Sequence, residues 1–185
     1  LIERIMGFVR RESWNASLEL GRKKGVFPEF EANRDAYTRF LRDEIGIPEG
    51  VDITPRNYEV TTIAPTGTIS LVAETSSGIE PNFSWAYVRQ DTVGTRTYVH
   101  TLAAEALGIE VDQTNEESIK NAAEYVVANA DKLPAHFISA MEISSVEHVK
   151  VLGAAQKHVD NAISKTCNGA ADDTVESVDE LYHLA

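Results

Sequence analysis

The 185 residues are 43% apolar and 25% charged, which suits one domain with a real core and excludes a disordered tail. The 29 acidic side chains outnumber 17 basic ones for a net charge of −12, a surface that repels duplex nucleic acid but leaves room for a nucleotide in a local pocket. No run approaches the roughly 18–20 apolar residues that cross a bilayer, no signal peptide opens the chain, and lone Cys167 has no internal disulfide partner, so a reducing cytoplasm without membrane contact is expected.

A first helix is predicted from Leu1 to about Lys24, with Ile2, Ile5, Met6, Val9, Ala16 and Leu20 on one face and Gly25 as its left-handed terminator. A Pro-containing loop leads to a second helix capped near Asn33, with Tyr37, Phe40, Leu41 and Ile45 buried and Gly46 at its end. Ile47–Asn57 reads as a loop, and Tyr58–Ile63, rich in β-branched residues, as a short buried strand. A helix near Thr97–Leu107 is expected to end at Gly108. Thr114 with Glu117 reads as a capping box for a helix burying Ile119, Ala122, Ala123 and Val126. Ser144 with Glu147 opens another, running through Val149, Leu152, Gln156, Val159 and Ile163, with Ser164–Cys167 as a short strand after it. Asp173 with Glu176 is the expected box of a last helix carrying Val175, Val178, Leu181, Tyr182 and Ala185. Both terminal helices open or stop without the usual signals, so the chain is expected to be a piece of a larger protein, cut at both ends. Few strands among several amphipathic helices indicate the α/β class, with partner strands in other sequence.

The segment Pro65-Thr66-Gly67-Thr68-Ile69-Ser70 joins the expected strand to an apolar helical turn. Gly67 permits close approach of main chain to a ligand, and the first N–H groups of a helix starting there lack partners and favour an anion. Thr66, Thr68 and Ser70 add hydroxyl donors, and no Lys or Arg lies between Asn57 and Arg89. These ingredients suit a terminal phosphate; the competing reading is a Ser/Thr helix cap that binds nothing. The segment is neither a Walker loop nor a dinucleotide fingerprint. Downstream, Thr75-Ser76-Ser77-Gly78-Ile79-Glu80-Pro81 makes a tight loop in which Glu80 either faces a pocket or is solvated, solvation being the expected reading.

Thr61–Ser70 and Thr75–Pro81 together resemble the large catalytic chain of ribonucleotide reductases, of the adenosylcobalamin-dependent class. Gln156–Thr166 is similar to a second signature of that class, and the order of elements matches along nearly the whole chain. The resemblance implies that residues 1–185 are the C-terminal part of a ten-stranded α/β barrel, incomplete in this chain, with Pro65, Thr66, Gly67, Thr68, Ile69 and Ser70 holding the phosphate of a ribonucleotide substrate. It also implies adenosylcobalamin as cofactor, bound mainly by other parts of the chain, a thioredoxin-like or dithiol reductant, and thiyl-radical chemistry on several cysteines. Only Cys167 is present, outside that cysteine context, so it is expected to be a small buried side chain and no catalytic residue is assigned. The five histidines show no metal-ligand spacing, and Lys165 either neutralises an acid inside the barrel or lies at the surface, the surface being the expected reading. The alternative is a non-catalytic module of the same barrel that binds nucleotides or a partner chain.

Overall fold

The computed structural model describes residues 1–92, 94–169 and 172–185. They form two units, one from Leu1–Ala64 and Val149–Ser164 with Ala185, the other from Pro65–His148 and Lys165–Leu184. The class is α/β, as expected, but the sheet among the described residues is a single two-stranded hairpin. No helix among the described residues is long and apolar enough to cross a membrane.

In the first unit, α1 (Ile2–Lys24) carries Glu3 in its first turn and Arg22, Lys23 and Lys24 in its last, matching the helix dipole at both ends. Gly25 ends it at φ 85°, where glycine is favoured, although ψ 160° places it outside the expected left-handed helical well. The buried face is Trp14, Ser17, Leu18 and Gly21, not the predicted apolar stripe, in which Ile5 is 50% and Leu20 40% exposed. The reason is close approach of residues 54–57. Thr54 Oγ1 donates to Leu18 O, Arg56 N to Ser17 O, and Asn57 N to Ser17 Oγ, while a Cβ at Gly21 would overlap the Thr54 carbonyl. Small residues on that face admit the chain; the bulky stripe does not.

After a single 3-10 turn at Glu31–Asn33 comes α2 (Arg34–Asp43), where Asn33 donates to Glu29 O rather than capping the helix. Trp14, Leu18, Phe27, Phe30, Leu41, Ile45, Ile47 and Ile53 form one core, with Tyr37 and Phe40 packed on it as predicted. Trp14 meets Phe40 edge-on at 5.5 Å between centroids, a favourable aromatic geometry. The Arg42 guanidinium donates to the carbonyls of Ile47, Pro48, Glu49 and Val51 and so closes the following loop.

The expected strand Tyr58–Ile63 is reduced to one parallel bridge, Ile63 to Ile163. A side chain replaces the ladder: Asp160 Oδ2 accepts from Val60 N at 2.9 Å and Thr61 N at 3.3 Å, and Asp160 N donates to Thr61 Oγ1 at 3.0 Å. Arg10 Nε lies 3.6 Å from the other carboxylate oxygen. Ser164–Cys167 forms no strand.

The second unit contains α3 (Gly67–Val72), β1 (Ala86–Asp91), β2 (Gly94–Val99), α4 (Thr101–Ala106), α5 (Glu116–Ala128) and α7 (Val175–Leu184). The predicted helix from Thr97 starts at Thr101 instead, because Thr97, Tyr98 and Val99 suit a strand and pair with Val88, Tyr87 and Ala86. Helix α5 packs across this hairpin, and Ala86, Ala103, Ala123 and Val126 form the core, with Trp85, Val99 and Phe137 against it. Its cap is Asn115, whose side chain accepts from Glu117 N and Ser118 N, one residue later than the predicted Thr114. Thr114 bonds Asp112 instead.

Helix α6 (Ser145–Gln156) opens with the predicted Ser144–Glu147 box, in which Ser144 N and Oγ both donate to Glu147. It stops before Val159 and Ile163, where Gln156 uses its amide on the carbonyls of Val159 and Asn161 and on Ile163 N. Helix α7 is capped by Thr174, which accepts from Ser177 N, rather than boxed by Asp173 and Glu176, and its apolar stripe has no buried member.

Candidate phosphate-binding site

A helix does begin at Gly67. The first bond of its ladder runs from Ser70 N to Thr66 O at 2.9 Å, so the N–H groups of Gly67, Thr68 and Ile69 precede it without helical partners. Thr66 stands in the left-handed region at φ 51°, uncommon for a β-branched residue, and this sharp entry frees the helix start. A Cβ built on Gly67 meets nothing within 4 Å, so the backbone there is open to a ligand. Pro65, Thr66, Gly67, Thr68 and Ile69 are exposed, Ile69 at 65%.

The three hydroxyls expected to assist do not act alike. The Thr68 hydroxyl makes no hydrogen bond among the described residues, and the residue is exposed. Ser70 is buried and donates to Gly67 O at 3.0 Å, a tie within the helix rather than a ligand donor. Thr66 Oγ1 accepts from Gly78 N at 2.7 Å, which pins the loop Thr75–Pro81 beside the turn.

Gly67 and Ser70 line a cavity of about 370 Å³, together with the loop from Glu74 to Ser84, Tyr87, Tyr98, Val99 and His100, Ala140, Thr166 and Asn168. That volume lies in the range of small-ligand sites. Glu80 lines this cavity rather than being solvated, the less favoured of its two sequence readings. Its Oε1 accepts from Thr166 N at 2.5 Å and its Oε2 lies 3.7 Å from Lys165 Nζ.

Lys165, expected at the surface, has a side chain only 4% exposed. Its ammonium also reaches His148 Nδ1 at 2.8 Å and Thr166 O at 2.5 Å, so its three donors face three acceptors. Buried His148 is 3.4 Å from Ala140 O through Nε2; with that N–H donating, Nδ1 is the lone pair facing Lys165. Sequence reasoning offered an acidic partner only as the lesser reading of Lys165 and named neither Glu80 nor His148, because they stand far from it and no local pattern joins them. Tyr87 and Tyr98 were missed because the hairpin was, although alternating residues before a Gly at 94 carry that signal.

Two groups on the cavity wall are perturbed. Burial holds the His100 imidazole below its ordinary pKa, outweighing the opposite pull of Glu74. Burial raises the Tyr87 phenol, with Tyr98 adding to it and Arg89 opposing. Cys167, expected to be buried, is exposed, its thiol donating to Ser145 O at 3.4 Å; Lys165 occupies the inward position of that segment. Among the described residues no group of three His, Cys, Asp or Glu side chains is placed to hold a metal ion.

Comparison with known proteins decides the family. The sequence profile described as ribonucleotide reductase, barrel domain, matches residues 1–185. The chain belongs to the ribonucleotide reductase barrel-domain family. Among relatives, the vitamin B12-dependent ribonucleoside-diphosphate reductase of Thermoplasma acidophilum is 32% identical over 189 residues, covering 99% of this chain and 23% of that protein. The reductase of the same name from Mycobacterium tuberculosis is 34% identical over 190 residues, covering all of this chain and 25% of its own length. A vitamin B12-dependent ribonucleotide reductase of Streptantibioticus cattleyicolor is 26% identical over 210 residues, covering 92% of the chain and 35% of that protein. The chain thus spans about a quarter of the length of the first two relatives.

Proposed function

We propose that this chain is the C-terminal part of a ten-stranded catalytic barrel in an adenosylcobalamin-dependent ribonucleotide reductase, and that Pro65–Ser70 holds the phosphate of the ribonucleotide substrate. The observation that carries the reading is the open start of α3. Three successive N–H groups lack helical partners at a glycine with space over it, and that glycine lines a cavity of ligand size. Several neutral donors acting together hold a dianion without a Lys or Arg. Thr66 and Ser70 serve this arrangement from behind, the first by fixing the neighbouring loop and the second by bracing the turn; Pro65 restricts the entry and Ile69 contributes its N–H. The family match and the two vitamin B12-dependent relatives over the full chain support the assignment.

The one thiol, on Cys167, is absent from the cavity wall, so this reading takes the thiols of the radical chemistry, and most of the adenosylcobalamin site, from other parts of the parent chain. The reaction consumes reducing equivalents, which a thioredoxin-like protein or a dithiol supplies in the cytoplasm.

Gly67→Val in the full chain tests the turn. A branched side chain over the helix start blocks the approach of phosphate, and nucleotide affinity should fall at least tenfold with thermal stability kept. Thr68→Ala removes one hydrogen bond to a charged group and costs about 1.5–3 kcal/mol of binding. Unchanged affinity in folded Gly67→Val reduces the turn to a helix cap.

A further inference from the structure

We infer that the paired tyrosines of the hairpin, Tyr87 and Tyr98, form a stacking platform for the planar base of the nucleotide whose phosphate the turn holds. The inference rests on the phosphate reading of the turn and extends it to the other end of the same cavity.

Tyr87 and Tyr98 are direct partners in the antiparallel register, so both rings stand on one face of the hairpin. In the neighbouring pair Ala86 is a core residue and Val99 packs against that core while also reaching the cavity wall. The tyrosine rings are stacked at 5.3 Å between centroids and 19° between planes, and both line the cavity that Gly67 and Ser70 also line. A cross-strand aromatic pair stabilises a hairpin in any setting. Here it does so while half-buried against a cavity rather than inside the core, which leaves ring surface for a flat ligand.

The charges of the cavity sort the ligand's two ends. Glu80 is committed to Lys165 and Thr166 N, and the Glu74 carboxylate accepts from the Thr101 hydroxyl at 2.5 Å. No cation among the described residues is left to receive a second anionic group on this wall: Lys165 is enclosed, and burial disfavours the charged form of His100. A neutral planar group therefore suits the tyrosine end, and phosphate the turn. Asn82 and Asn168 also line the cavity, and among the described residues their hydrogen bonds use the backbone carbonyls, to Ala140 N and Ser145 Oγ.

The test measures binding of the four ribonucleoside diphosphates and of inorganic pyrophosphate to the full chain by calorimetry. Aromatic stacking is sequence-tolerant, so Tyr98→Leu should weaken all four nucleotides roughly tenfold and leave pyrophosphate unchanged. Tyr98→Phe, which keeps the ring, should bind like the parent and shows that the fold tolerates the site. Gly67→Val should weaken nucleotides and pyrophosphate alike. Unchanged nucleotide affinity in folded Tyr98→Leu, or equal loss of nucleotide and pyrophosphate, overturns the platform. If Gly67→Val changes neither affinity, the turn fails instead, so the two failures are told apart.

Discussion

The two units of the chain are held together by different chemistry. The first gathers large side chains, Trp14, Phe27, Phe30 and Leu41 among them, into one core with edge-on aromatic contacts. The second has a core of three alanines and a valine with partly buried aromatics against it, and it relies on polar ties instead: Glu80 with Lys165 and Thr166, Lys165 with His148, Thr66 with Gly78. The cavity and the turn lie in the second unit. Apolar burial is non-directional and tolerates approximate shape, whereas a hydrogen-bonded ion cluster fixes the position of each atom that it holds. Directional ties occur in both units, but in the region assigned to ligand binding they stand beside a core of much smaller side chains.

The largest effect that sharpens this contrast belongs to Trp14. Its removal leaves a void under Phe40 and Leu18, and Trp14→Ala should cost about 3–5 kcal/mol. Hydrogen exchange on the full chain should show the loss of protection confined to Leu1–Ala64 and Val149–Ser164. Equal loss around the Gly67 turn would break the division.

The polar ties come next. Lys165→Met strands the Glu80 carboxylate, itself 17% exposed, and should cost about 3 kcal/mol in urea unfolding. Combining it with Glu80→Gln should recover much of that loss, because the stranded charge is gone. A single variant as stable as the parent would show that the cluster contributes no stability.

At the small end stands Cys167. Exposed, with one weak bond from its thiol, it should tolerate Cys167→Ala within about 0.5 kcal/mol by thermal melting. Alkylation followed by mass spectrometry should label it in the folded chain. Protection from the reagent would return it to the interior.

What the sequence made legible were features set by local chemistry. The first and second helices, the core positions Tyr37, Phe40, Leu41 and Ile45, the Ser144–Glu147 box and the helix start at Gly67 each follow from residues within a few positions of one another. What stayed hidden was set by distant partners. The buried face of α1 is chosen by residues 54–57, and Tyr58–Ile63 is held by Asp160 rather than by an unbroken ladder. Lys165 reads as a solvated cation until Glu80 and His148 are placed around it. At the turn, the sequence supplies the glycine and the free N–H groups. It does not reveal that Ser70 and Thr66 spend their hydroxyls on the protein itself, because that depends on rotamers and on the loop opposite. The hairpin was missed because Thr97–Val99 was read with the helix that follows it.

The approach of residues 54–57 to α1 also bears on how this sequence can drift over generations. The atom facing Gly21 is a main-chain carbonyl, so no exchange of side chain at Thr54 makes room for a larger residue at position 21. Space opens only if the segment moves, and the segment is fastened at Ser17, Leu18 and Asn57 by bonds that a shift would break together. Descendants of this chain can therefore leave Gly21 only through several changes made at once.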